Sequence, residues 1–225
     1  MAKMNRKSLF LYFSVLIICI ALCFAVFKFL APSTPVTNSS EYQDLTSLNT
    51  HEIAASPVKD SDTVIEIFAY GCHYCALNED KINEIVKRLP AGKSFVQLHL
   101  SSPGSSFSRT DTLFAALTVM GIEKKYREKI YHAINEEHID LGTQAVRDMW
   151  LQKNNIDVAA YDKASTSEQA RDLLNYMAKV TQYYKIRATP TFIVNKKWVA
   201  LQDRKYPAFN DHLLSLVQHD QPLEK

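Results

Sequence analysis

Thr63-Val64-Ile65-Glu66-Ile67-Phe68-Ala69-Tyr70-Gly71-Cys72-His73-Tyr74-Cys75 decides how this chain is read. Its first eight residues are β-branched, aromatic or apolar apart from Glu66, which predicts a strand that ends at Gly71. Leu77, Ile82, Ile85, Val86 and Leu89 then recur at helical spacing until Pro90-Ala91-Gly92 stops the pattern. Ser94-Phe95-Val96-Gln97-Leu98-His99-Leu100 returns as a second strand. Strand, helix and strand make a crossover unit that is right-handed, so the sheet is at least partly parallel.

Beyond this unit, residues 108–185 read as wholly helical, with four or five short helices. Gly121 and Gly142 punctuate the pattern, Asp157 is placed to cap VAAYDKA, and Ser165 with Glu168 has capping-box spacing. Leu113, Leu117, Met120, Met177 and the Tyr183-Tyr184 pair sit at packing positions of these helices. Thr191–Val194, the turn Asn195-Lys196-Lys197 and Trp198–Leu201 form a hairpin, and a last helix runs from about Pro207 to Val217. The fold class is α/β, a sheet with helices interrupted by a helical subdomain.

The chain has 225 residues, 47% of them hydrophobic, with five glycines and a net charge of +2, which suits one well-buried domain plus an appendage. Disorder and collagen are excluded, and no basic surface is predicted for a phosphate backbone, so nucleic acid is not an expected partner. Leu9 to Phe27 carries no charge and follows a short basic N-terminus. As a helix it spans about 29 Å, close to the hydrocarbon core of a bilayer and longer than an ordinary cleaved leader. An uncleaved anchor is favoured; the alternative is cleavage after Ala25, with Cys23 and Ala25 as the small residues of the site. Either way the positive-inside bias delivers the chain after Lys28 outside the cytoplasm. The organisation expected is therefore an anchor or signal over 1–30, a Pro/Ser/Thr/Asn-rich tether over 31–62 in which 42–48 could add an edge strand, a folded unit over 63–217 with the insertion at 108–185, and a tail over 218–225.

Four cysteines occur and two lie in the apolar segment, leaving Cys72 and Cys75. Residues three apart close too small a loop to act as a chain-entropy staple. Zinc lacks a second pair of ligands, and Ala76 follows Cys75 where a haem-attachment motif needs His, so no metal or organic cofactor is expected. A dithiol that opens and closes remains. At a strand-to-helix junction Cys72 faces unpaired N–H groups that stabilise a thiolate, which makes it the nucleophile; Cys75, one turn further in, is the resolving thiol. His73, when protonated, adds positive charge beside Cys72 and favours the reduced form. Tyr74 reads as the lining of a substrate groove.

Phe68 to Cys75, together with Ala188-Thr189-Pro190-Thr191-Phe192-Ile193-Val194-Asn195, resembles the two active-site blocks of DsbA-type thiol:disulfide oxidoreductases of the thioredoxin superfamily. The resemblance covers about 63–217. It implies a thioredoxin-like fold with a helical insertion, a cis peptide bond at Thr189–Pro190 against the Cys72 sulfur, and Glu66 and Glu79 as acids that move protons to and from the buried cysteine. Independently, a carboxylate inside VIEIF is costly unless paired. It further implies unfolded exported polypeptides with free thiols as substrates, a DsbB-like membrane reoxidant, and a periplasmic location at the inner membrane. Two departures concern the potential: His-Tyr stands between the cysteines where the family's best-studied oxidants have Pro-His, and Gln97 stands where a lysine often neutralises the acids. Thr189 before the proline resembles isomerases and reductases, so an isomerase or reductase is the alternative; a thiol-independent peptide-binding chaperone is the rival of another class.

Overall fold

Residues 44–224 are described by the computed structural model of the chain; the apolar stretch 9–27 and the first part of the tether lie outside them. Among the described residues no helix is long and apolar enough to cross a membrane.

The chain joins the fold at the edge strand expected within 42–48. Leu45–Ser47 forms β1, which adds antiparallel to a late strand at the edge of the sheet. Asn49 then starts a six-residue helix, α1 (Thr50–Ala55), through a capping box with Glu52. Tyr183 donates to the Glu52 carbonyl, and the Ser56 and Tyr184 hydroxyls share a hydrogen bond of 2.6 Å. Residues 44–62, read from sequence as the end of a tether, are thus bound into the domain. Three residues of strand carry almost no periodicity of their own; the partner strand makes them a strand.

The expected crossover unit follows as β2 (Thr63–Phe68), α2 (His73–Arg88) and β3 (Ser94–His99), with β2 and β3 parallel. All six residues of β2 are buried, as a central strand covered on both faces requires. The insertion opens with a short 3₁₀ turn at Ser106–Thr110 and continues as five helices: α3 (Asp111–Val119), α4 (Glu123–Asn135), α5 (Gln144–Lys153), α6 (Val158–Ser165) and α7 (Glu168–Tyr183). Asp157 caps α6 as expected, accepting from the Ala160 N–H. The cap of α7 is Ser167 and not Ser165: Ser167 accepts from the Ala170 N–H, whereas the Ser165 hydroxyl is turned back onto the Asp162 carbonyl in the last turn of α6.

The hairpin is β4 (Thr191–Val194) and β5 (Trp198–Leu201), and α8 (Ala208–His219) closes the fold. Asn195 and Lys196 both adopt positive φ at the hairpin turn, the twist that suits tightly connected strands. The sheet order is β1-β5-β4-β2-β3. One apolar cluster joins Val64, Phe192 and Val194 to Ile82 and Ile85 of α2 and Phe209 and Leu213 of α8. The other joins Ile65, Ile67 and Leu98 to the insertion through Leu113, Leu117 and Met177, with Met120 and Tyr183 packed at its margin. Register fixes the rest: Glu66 lies opposite Gln97 on β3 and Phe192 on β4, and Ile67 lies opposite Thr191. The loop before Thr191 is thereby brought to the end of β2, where the cysteine pair begins.

Candidate active site

Cys72 is the N-cap of α2, and its sulfur accepts from the Cys75 N–H at 3.1 Å. The two sulfurs are joined as a disulfide with the Cα atoms 5.3 Å apart. Cys72 is 6% exposed and Cys75 wholly buried, so a thiolate from outside can reach only the first sulfur. When the bond opens, the Cys72 sulfur is left at a helix N-terminus whose first N–H groups have no intrahelical acceptor, the setting that lowers a thiol pKa.

The second block sits against this sulfur. Thr189–Pro190 is a cis peptide, and the Thr189 carbonyl oxygen is 3.3 Å from Cys72 Sγ. A disulfide sulfur has no hydrogen to donate, so this is a contact that becomes an S–H···O bond only in the dithiol. Thr189 Oγ1 is buried with no protein partner. Tyr206–Pro207, which leads into α8, is a second cis peptide that nothing in the sequence marked.

His73 and Tyr74 occupy the exposed first turn of α2. The His73 ring points toward Glu136, Nδ1 to Oε1 3.9 Å, and both side chains are more than half exposed, so solvent screens that pair. The half-exposed Tyr74 accepts a 2.7 Å hydrogen bond from Gln202 Nε2, which pins its ring beside the chain that follows β5. Phe107 borders Gly71 and leaves 40% of its surface in solvent, adding an apolar edge that the sequence did not single out.

The chain leading into the site is clamped at Tyr70. Its N–H donates to His99 Nε2 at 3.2 Å, its carbonyl accepts from Asn135 Nδ2 at 2.8 Å, and its hydroxyl donates to Glu123 Oε1 at 2.7 Å. His99 is wholly buried; burial, the larger cause, outweighs its bond to the Leu100 carbonyl and holds its pKa down at about 4. The neutral ring carries its hydrogen on Nδ1, 2.8 Å from the Leu100 carbonyl oxygen.

Glu66 and Glu79 come together through Gln97. Gln97 Nε2 donates to Glu66 Oε2 at 2.8 Å and to Glu79 Oε1 at 3.2 Å. Glu66 is fully buried, and its Oε1 has no partner in the protein. Burial first and the Glu79 charge second push its pKa up to about 8, against the opposing pull of Gln97 and Arg127. Glu66 is therefore a protonated acid at neutral pH. The sequence reading found this residue from its cost in an apolar strand.

It missed the cation. Arg127, on α4, donates to Glu79 Oε1 at 3.1 Å, to Gln97 Oε1, and through Nε and Nη2 to Glu123 at 2.8 and 2.5 Å. Its guanidinium also lies 4.8 Å from the centroid of the Phe68 ring. Glu123 and Arg127 are four apart on a helix, a spacing visible in the sequence but shared with any solvated surface pair. Tyr131 and Tyr206 bring buried hydroxyls without protein partners toward the same acids; burial first, and carboxylate charge after it, raises both phenols. Among the described residues no cluster of His, Cys, Asp and Glu is arranged to hold a metal.

Comparison with known proteins agrees with this geometry. The family model for a DSBA-like thioredoxin domain matches residues 76–213, beginning directly after Cys75. The thiol:disulfide interchange protein DsbA of Azotobacter vinelandii is 31% identical over 151 residues, 67% of this chain and 69% of that protein. The protein of that name from Pseudomonas aeruginosa is 27% identical over 178 residues, 77% of this chain and 80% of its own length. Among solved structures, a variant of P. aeruginosa DsbA superposes with a TM-score of 0.66 at 24% identity, covering 78% of this chain and 92% of that one. The oxidoreductase DsbA1 of N. meningitidis gives 0.64 at 22%, covering 80% and 94%, a likeness of fold. With the sheet, the insertion and the cysteine pair all in place, the chain belongs to the family of DSBA-like thioredoxin domains.

Proposed function

We propose that this chain, a thiol:disulfide oxidoreductase, works in the oxidising direction on exported polypeptides that carry free thiols. A substrate thiolate attacks Cys72 Sγ; the new S–S bond forms as the Cys72–Cys75 bond breaks, and Cys75 leaves with the electron pair and takes up a proton. A second substrate thiol, losing its proton, then attacks the substrate sulfur of the mixed disulfide and expels the Cys72 thiolate. The substrate has lost two electrons and the Cys72–Cys75 pair has gained them. Attack by Cys75 on the mixed disulfide, the resolving role read from its position, returns the substrate reduced, so it is the escape route and not the productive step. The observation that carries this reading is the placement of the two sulfurs, with Cys72 the more accessible of the pair, at a helix N-terminus and against the Thr189 carbonyl, and with Cys75 wholly buried behind it.

Glu66 is the reservoir for the proton that Cys75 gains and loses, and Glu79 is the acid that holds Glu66 in its protonated form. His73, when protonated, adds positive charge beside Cys72, and Tyr74 with the Thr189–Pro190 loop receives the extended substrate. The N-terminal segment 1–30 exports the domain and tethers it to the inner membrane, on its periplasmic side, through a linker over 31–43; the domain then runs to about Val217 with its insertion over 108–185. A membrane reoxidant of the DsbB type takes the electrons. Thr189 before the cis-proline favours the reverse direction, that of an isomerase or reductase.

Trapping tests the chemistry directly. Cys75→Ser, offered a peptide whose thiol is activated as a thiopyridyl disulfide, should accumulate the Cys72–peptide mixed disulfide as the thiopyridine leaves, and Cys72→Ser should lose both trapping and turnover. Full activity in Cys72→Ser would contradict the proposal and leave a thiol-independent peptide-binding chaperone as the better reading.

A further inference from the structure

Arg127 has no part in the chemistry just described, yet it is the cation nearest to hand for the buried acids, and it comes from the insertion and not from the sheet. Its side chain is 7% exposed. The guanidinium fork is divided: Nε and Nη2 face Glu123, while Nη1 faces Glu79 Oε1 and Gln97 Oε1. Phe68 supports the plane of the fork from β2. This division leaves the Gln97 amide one orientation. With its oxygen held by a guanidinium, its NH₂ must turn to Glu66 Oε2 and Glu79 Oε1; a flipped amide would set its oxygen against the Glu79 carboxylate and its NH₂ against a cation.

We infer that Arg127 is a positioning residue for disulfide exchange: by fixing the Gln97 amide it selects Glu66 Oε2 as the hydrogen-bonded oxygen and leaves Oε1 to carry the proton exchanged with Cys75. The inference rests on the reading of Glu66 as the proton reservoir. Glu66 Oε1 is the oxygen without a protein partner, which is where that proton has to sit. Every group bearing on this acid belongs to the account: Glu79 from α2, Gln97 from β3, Arg127 and Tyr131 from α4, and Tyr206 from the segment before α8, with Glu123 and Tyr70 facing Arg127 from its other side. A groove of about 380 Å³, lined by Glu79, Gln97, Arg127 and Tyr131 among others, opens beside the amide. The cation missing from Gln97 in the sheet is thus supplied through Gln97, one residue further out.

The test uses the full-length protein with ¹³C-labelled glutamate, following the Glu66 carboxyl by NMR from acid to alkaline pH alongside the pH profile of thiol exchange. Glu66→Gln assigns the signal. Gln97→Leu cuts the bridge while leaving the Arg127–Glu123 pair intact, and it should move the Glu66 midpoint up by about one pH unit, because the acid loses the donor that favours its charged form. The exchange profile should move with it. Arg127→Lys keeps the charge, but one ammonium cannot serve Glu123 and Gln97 together, so it should reproduce most of that movement while remaining folded. Midpoint and profile unchanged in both variants, in a protein whose Glu66→Gln form does alter the profile, would overturn the positioning role alone. An unaltered profile in Glu66→Gln would overturn the reservoir reading, and the inference with it.

Discussion

Glu66 in the central strand and Glu123 in the inserted helix are both buried carboxylates, and the difference between them is one of partners. Glu123 accepts two bonds from Arg127 and one from Tyr70, so neither of its oxygens lacks a donor. Glu66 accepts one bond, from a neutral amide, and keeps an oxygen with none. Equal burial therefore produces a structural ion pair in one place and a poised acid in the other. A buried charge with a complete set of partners stays charged and holds elements together, while one with half a set keeps its proton and has it to give.

The largest expected effect comes from breaking the complete set. Arg127→Met leaves Glu123 buried beside no cation and should cost about 3–5 kcal/mol in urea denaturation, with much of the loss recovered when Glu123→Leu is added. A single-variant loss no greater than that of an exposed pair such as Lys87–Glu84 would show that the two carboxylates do not differ as described.

Removing the incomplete set should act in the other direction. Glu66 has a folded pKa of about 8 against an ordinary 4.5, so the folded state holds a proton that the unfolded chain has lost between those values. Its contribution is whole below pH 4.5, is lost as pH rises toward 8, and stays lost above. Glu66→Gln should consequently stabilise the protein at pH 8 by about 3–4 kcal/mol and by almost nothing at pH 4.

His99 sharpens the contrast as a buried base with every ring nitrogen occupied. With its pKa held at about 4 in the fold against 6.5 outside it, its contribution is whole above pH 6.5 and is lost as pH falls toward 4. About 2–3 kcal/mol of the acid-side loss of stability should disappear in His99→Gln. Smallest is the exposed carboxylate: Asp157→Ala removes only the cap of α6 and should cost about 1 kcal/mol at neutral pH, with exchange activity unchanged.

The cysteine pair and the strand-helix-strand unit around it could be read from sequence because each signal is local. Six consecutive buried residues, a sixteen-residue amphipathic helix and two thiols at its start need no distant partner to be recognised. Glu66 could be read for the opposite reason, as a charge in a stretch that excludes charge. Arg127 could not. Glu123-x-x-x-Arg127 has the spacing of an ordinary surface pair, and only the packing of α4 against α2 and the end of β2 turns that face inward. The edge strand at Leu45–Ser47 was legible within 42–48, although its three residues become a strand only through β5. The cap of α7 was misread by two residues because Ser165, Thr166 and Ser167 are all competent caps, and the end of α6 decides among them.

The central claim is that a thiolate stabilised at the start of α2 makes this disulfide an oxidant, and its most direct test is the reduction potential of Cys72–Cys75, measured by equilibrating the purified protein in glutathione buffers. The account predicts a value near −120 mV, roughly that of strong oxidants whose reduced thiolate is stabilised. A value near −270 mV, roughly that of a thioredoxin-like electron donor, would contradict it.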